Sequence, residues 1–146
     1  MTIATRYVDH LYSLYHGRAA VTVGVNNESV SIHPFVFEDI NNVPIGLIAL
    51  SAEGFAHPSD VDIYHISTFN SGKGHGSQIM DFLCDSADEY GVRLCIQAEA
   101  QQNGNQTMTS PELVDWYHGY GFNGDSSTGN DLTAHRLLYR MPVISR

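Results

Sequence analysis

The stretch that decides the fold is HISTFNSGKGHGSQIMDFL, residues 65–83. It opens as a strand, crosses a run of small residues and ends in helical periodicity. Glycines stand at 72, 74 and 76, where a helix should start. Glycine is unfavourable there unless the backbone turns left-handed or something must approach it closely. Upstream, VDIYHISTF (Val61 to Phe69) alternates as a strand. The alternation predicts Val61, Ile63 and His65 on one face and Asp62, Tyr64 and Ile66 on the other. Downstream, Ile79, Phe82, Leu83, Ser86, Ala87 and Tyr90 recur at helical spacing, and Gly91 is a natural stop. A strand, a glycine-rich turn and a helix together present unpaired amides and the positive end of a helix dipole, which is a phosphate cradle. The spacing is neither that of a Walker loop nor that of the Rossmann fingerprint. The competing reading is a tight strand-to-helix turn that holds no ligand.

Working outward, Ala4 to Tyr15 carries helical periodicity, with Val8, Leu11 and Tyr15 on one stripe. Strands are expected at Ala20 to Val25, Val30 to Phe37 and Ile45 to Ala52, separated by turn chemistry. Pro34 suggests an edge or a bulge in the second of these. After the glycine-rich helix comes a strand at Val92 to Ala100, then the polar loop QQNGNQTMT. Ser110, Pro111 and Glu112 are a strong helix start: a cap, a proline at the first position and an acid in the first turn. That helix should end near His118 or Gly119. NGDSSTGND reads as a loop, and Thr133 to Pro142 as a last strand. The order predicts an α/β (α+β) domain spanning residues 1–146, with a mixed central sheet of about six to seven strands flanked by helices.

The 146 residues carry 16 acidic and 7 basic side chains, for a net charge of −9. That balance opposes nucleic-acid binding, which needs clustered Lys and Arg. It leans instead toward a cationic acceptor. No apolar run is long enough to span a membrane, and the N-terminus lacks a signal pattern, so a cytoplasmic location is expected. Cys84 and Cys95 have no metal or redox spacing, and the eight histidines form no His-x-x-x-His pair. No metal is expected.

SGKGHGSQIMDFL resembles the acetyl-CoA-binding signature of the GNAT (Gcn5-related N-acetyltransferase) superfamily, Arg/Gln-x-x-Gly-x-Gly/Ala. Ser71, Gly74 and Gly76 occupy its defined positions, and Ile66 is the apolar strand residue five places upstream. WYHGYGF resembles the aromatic-Tyr-x-x-x-Gly-Phe that closes these domains, with Trp116, Tyr117, Gly121 and Phe122 on its defined positions. The resemblance covers roughly Val61 to Met141. Two departures stand out. Ser71 replaces the usual Arg or Gln, with Lys73 nearby as a substitute cation. The N-terminal part has one helix where the family has a strand followed by two helices.

The resemblance implies an N-acetyltransferase that binds acetyl-CoA where two parallel strands splay. The pantetheine arm would pair with the backbone of Ile66, Ser67 and Thr68. The pyrophosphate would rest on the turn formed by Ser71, Gly72, Lys73, Gly74, His75, Gly76 and Ser77. By motif position, Tyr117 would be the general acid toward the leaving thiolate. Asp62 and Glu99 are the candidate bases, and Asp60 a further one if the strand extends that far. The acceptor would be an amine on a small molecule, peptide or protein, and a homodimer is common in the family. The alternative is a GNAT-shaped module that binds CoA or a protein partner without turnover.

Overall fold

A computed structural model describes residues 2–15, 17, 21–25, 28–52, 59–70, 73–98, 110–124 and 136–143. Helix α1 spans Ile3–Leu14. The Thr2 hydroxyl accepts a hydrogen bond from the Thr5 amide at 3.0 Å and caps its start. Its apolar stripe buries Ala4, Tyr7, Val8 and Leu11. The buried Tyr7 hydroxyl donates to the Leu83 carbonyl at 2.9 Å, which satisfies a polar group that would otherwise be costly in the core.

Four strands follow: β1 (Val21–Val25), β2 (Glu28–Glu38), β3 (Pro44–Ser51) and β4 (Asp60–Thr68). Helix α2 (His75–Tyr90) leads to β5 (Arg93–Ala98), and α3 (Ser110–His118) precedes β6 (Asn123–Gly124) and β7 (Arg136–Arg140). The sheet order is β1-β2-β3-β4-β5-β7-β6. Neighbours are antiparallel except β4 and β5, which run parallel across the α2 crossover. Gly91, at φ 73°, ends α2 as expected. Pro34 pairs with Ala49 of β3 and lies past Ile32, where the described β1 pairing ends; the irregularity in β2 falls between Phe37 and Glu38. The expected loop after Phe122 begins with the two residues of β6, held against Tyr139 and Leu138.

The three described helices share one face of the sheet. Ile48 and Leu50 of β3, Val61 and Ile63 of β4, Leu94 and Ile96 of β5 and Leu138 of β7 form one cluster with buried residues from all three helices. Ala49 and Cys95 are buried on the other face, apart from that cluster. The face pattern of β4 departs from simple alternation. Ile63 pairs with Leu50 and His65 with Ala49, so Tyr64 is an inserted residue with no β3 partner. This bulge reverses the expected faces beyond it. Ile66, opposite Ile48, packs against the helix-side core, and His65 turns to the other face with Ala49.

Candidate functional site

Strands β4 and β5 pair at four positions, from Asp60 with Arg93 to Ile63 with Ile96, and then part. Beyond that point β4 continues along β3 as far as Thr68, while β5 continues along β7 through Gln97 and Ala98. The backbone of His65 to Thr68 is therefore paired on one side only, among the described residues. A one-sided strand offers N–H and C=O groups to an extended amide chain. Ile66, Ser67 and Thr68 lie in this segment, half-buried.

The helix that follows is built to receive an anion. Gly74 is the N-cap of α2, with φ 75°, a left-handed conformation that favours glycine. It contributes no side-chain cap, and the first turn carries no carboxylate in a chain of net charge −9. The Gly74 carbonyl already accepts from the Gln78 amide at 3.2 Å. The amides of His75, Gly76 and Ser77 precede that first intrahelical bond and remain at the helix's positive end. Among the described residues, a Cβ built on Gly74 would meet nothing within 4 Å, so the space beside that Cα is open. Lys73 is exposed beside it. Ser71 and Gly72 lie outside the described residues, as does Glu99.

The two sequence motifs meet in space. A Cβ on Gly76 would sit 3.6 Å from the Trp116 ring, so α3 rests against the start of α2. Gly121, at φ 95°, allows the chain to reverse after α3 and drive Phe122 into the core. The Phe122 amide donates to the Tyr117 carbonyl at 3.2 Å, and the two rings lie 5.7 Å apart. Tyr117 is 8% exposed, and burial pushes its phenol up to about 12. It thus keeps its proton throughout the physiological range.

Asp62 lies on the face opposite the helices, across from Ser51 of β3 and Cys95 of β5. Burial raises its carboxyl to about 6, a value suited to accepting a proton near neutrality. Asp60 points to the same face but is committed. Arg93 donates to it twice, from Nε at 2.8 Å and from Nη2 at 2.5 Å. This pair is formed across 33 positions of sequence and was not anticipated. Asp60 is thereby corrected from a candidate base to half of an ion pair. Tyr117 and Asp62 approach the sheet from opposite faces. Among the described residues, no three His, Cys, Asp or Glu side chains group as metal ligands, and no helix is long and apolar enough to cross a membrane.

No protein-family model matches the chain, and no curated protein matches it. Solved structures do. A spermidine N-acetyltransferase SpeG chimera from Vibrio cholerae and hSSAT aligns with a TM-score of 0.52 at 17% identity, over 93% of this chain and 78% of that one. Tetrahymena GCN5 aligns with a TM-score of 0.51 at 11% identity, over 79% and 71%. Anti-CRISPR protein AcrVA5 is 25% identical over 65% of this chain and 88% of its own, with a TM-score of 0.48. The likeness to SpeG and GCN5 gives this chain the GNAT acetyltransferase fold.

Proposed function

We propose that this GNAT-fold chain is an acetyl-CoA-dependent N-acetyltransferase acting on a primary amine. The observation that carries the proposal is the parting of β4 from β5 immediately ahead of an α2 start that has no side-chain cap. In this reading the amides of His75, Gly76 and Ser77, with Ser71, Gly72, Lys73 and Gly74, hold the diphosphate. The free edge of Ile66, Ser67 and Thr68 takes the pantetheine amides.

Acetyl-CoA supplies an activated acyl group as co-substrate. Asp62, ionised above pH ~6, accepts a proton from the acceptor ammonium and frees the nitrogen lone pair. A C–N bond then forms as the C–S bond breaks. The Tyr117 hydroxyl, protonated well past neutrality, is the donor to the departing thiolate. Glu99 is the second candidate base. A carboxylate at the acceptor side of an acidic protein favours a cationic amine, the chemistry acetylated by enzymes such as spermidine N-acetyltransferase. Cytoplasmic residence and a homodimer belong to the same proposal.

The test is a thermal shift with acetyl-CoA, followed by thiol release with a panel of mono-, di- and polyamines and a lysine peptide. A shift together with amine-dependent thiol release supports the enzyme. A shift with no release for any amine favours a CoA-binding module, and no shift overturns the cradle.

A further inference from the structure

Asp60 and Asp62 extend from the same face of β4, and Arg93 and Cys95 extend beside them from β5 in the paired registers Asp60–Arg93 and Asp62–Cys95. Among the described side chains, the titratable groups on this face are Asp60 and His65 of β4, Arg93 and Cys95 of β5 and Tyr139 of β7, opposite Cys95; β3 presents Ala49 and Ser51. Arg93 is the cation among them. Its guanidinium is held from two directions: Asp60 accepts from Nε and Nη2, and the Tyr139 ring lies 4.6 Å beneath it. The Asp60 side chain is 2% exposed, so the fork is fixed on the buried side, while Arg93 keeps 31% exposure.

We propose that Asp60 is a positioning residue for the acceptor chemistry: by engaging the Nε–Nη2 edge of Arg93, it holds that cation away from Asp62 and leaves Asp62 without a cationic partner among the described residues. The proposal rests on the reading of Asp62 as the base, and it adds what sets the proton affinity of that base. A carboxylate in reach of a loose guanidinium ionises at low pH and becomes a weak base. A carboxylate in the same place without a cation stays protonated longer and is a stronger one. Burial of Asp62 then acts unopposed, in line with desolvation as the cause of its raised value. Burial first, and the nearby Asp60 and Asp62 carboxylates after it, push Cys95 up to about 12, with Arg93 acting the other way; in the strand register Cys95 lies opposite Asp62.

The experiment follows the Asp62 carboxyl directly, by carbon-detected NMR titration of protein labelled at aspartate, with Asp62→Asn to assign the signal. Asp60→Asn should lower the Asp62 midpoint by about one unit or more, roughly tenfold in proton affinity. The acid limb of kcat/KM should move down by the same amount. Arg93→Met should move the Asp62 midpoint up, because an unpaired Asp60 carboxylate then faces it. The double variant Asp60→Asn/Arg93→Met should return it near its starting value. An unchanged Asp62 midpoint in Asp60→Asn overturns the proposal. If that variant does not fold, an unchanged midpoint in Arg93→Met does so. Midpoints that move while the kinetic limb stays fixed would keep the tuning by Asp60 and remove Asp62 as the base.

Discussion

Ile63 and Ile96 are the last residues at which β4 and β5 pair, and the next residue of β4, Tyr64, is inserted opposite no residue of β3. The two facts are mechanically related. A bulge bends and twists its strand locally, so β4 follows β3 away from the direction of β5. The parting leaves, among the described residues, a one-sided backbone edge ahead of α2 in the chain, with Tyr64 itself half exposed at its root.

The cradle can be tested at one glycine with two substitutions. Gly74 has φ 75° and open space where a Cβ would stand. Gly74→Ala should therefore cost about 1 kcal/mol in left-handed strain and leave acetyl-CoA binding in place. Gly74→Glu adds bulk and negative charge over the same amides and should abolish the thermal shift given by acetyl-CoA. A Glu variant that still shifts would show that the diphosphate sits elsewhere.

Tyr117→Phe should lower kcat by about 10²-fold while changing the affinity for acetyl-CoA little. The phenol is buried and rises to about 12, so it holds its proton as the pH climbs. Rate profiles of the parent enzyme should accordingly show no loss from Tyr117 between pH 7 and about 10. A Phe variant of unaltered kcat would reduce Tyr117 to a packing role against Trp116 and Phe122, whose rings it meets at 5.2 and 5.7 Å.

Local features were legible in the sequence and relations between strands were not. The turn glycines, the Gly91 stop and the helix start at Ser110 and Pro111 each depend on a few adjacent residues, and the helices begin and end near where those residues put them. The bulge at Tyr64 is a mismatch between β3 and β4. Single-strand alternation therefore put His65 with Val61 and Ile63 and put Ile66 outside, the reverse of what packing selects. Asp60 looked like a free carboxylate for a similar reason, because Arg93 is brought to it only by the parallel pairing after the α2 crossover. The strand–helix–strand order around the glycines was enough to indicate the fold. The faces of β4 required the register.

The C-terminal end of α2 is fastened by a second ion pair. Arg140 donates from Nη1 and Nη2 to the two Asp88 oxygens at 2.7 and 3.1 Å and from Nε to the Tyr120 carbonyl, while the Val143 amide donates to Asp88. Hydrogen bonding from Arg140 holds the Asp88 carboxyl below its ordinary range. Its stabilising contribution is thus present above the unfolded value and is lost as acid protonates it. Asp88→Ala leaves a largely buried guanidinium unpaired and should cost about 2–3 kcal/mol, read in urea unfolding at pH 7. A variant as stable as the parent would mean that Arg140 finds water or another partner at no cost.

Asp62 carries the opposite sign. Burial raises its folded value to about 6, above that of the unfolded chain, so between the two values the folded protein binds the proton more tightly. Stability then falls as pH rises from about 4 to 6, and above that the ionised, poorly hydrated carboxylate remains a burden of up to about 3 kcal/mol. Asp62→Asn should remove this burden. The variant should melt higher than the parent at pH 7.5, by a few degrees, and the difference should shrink toward zero near pH 4. In the same protein, acetyl transfer should drop and the acid limb of kcat/KM near pH 6 should vanish. Equal melting temperatures at both pH values would mean that Asp62 is hydrated like an ordinary surface carboxylate, and it would then lose the property that recommends it as a base.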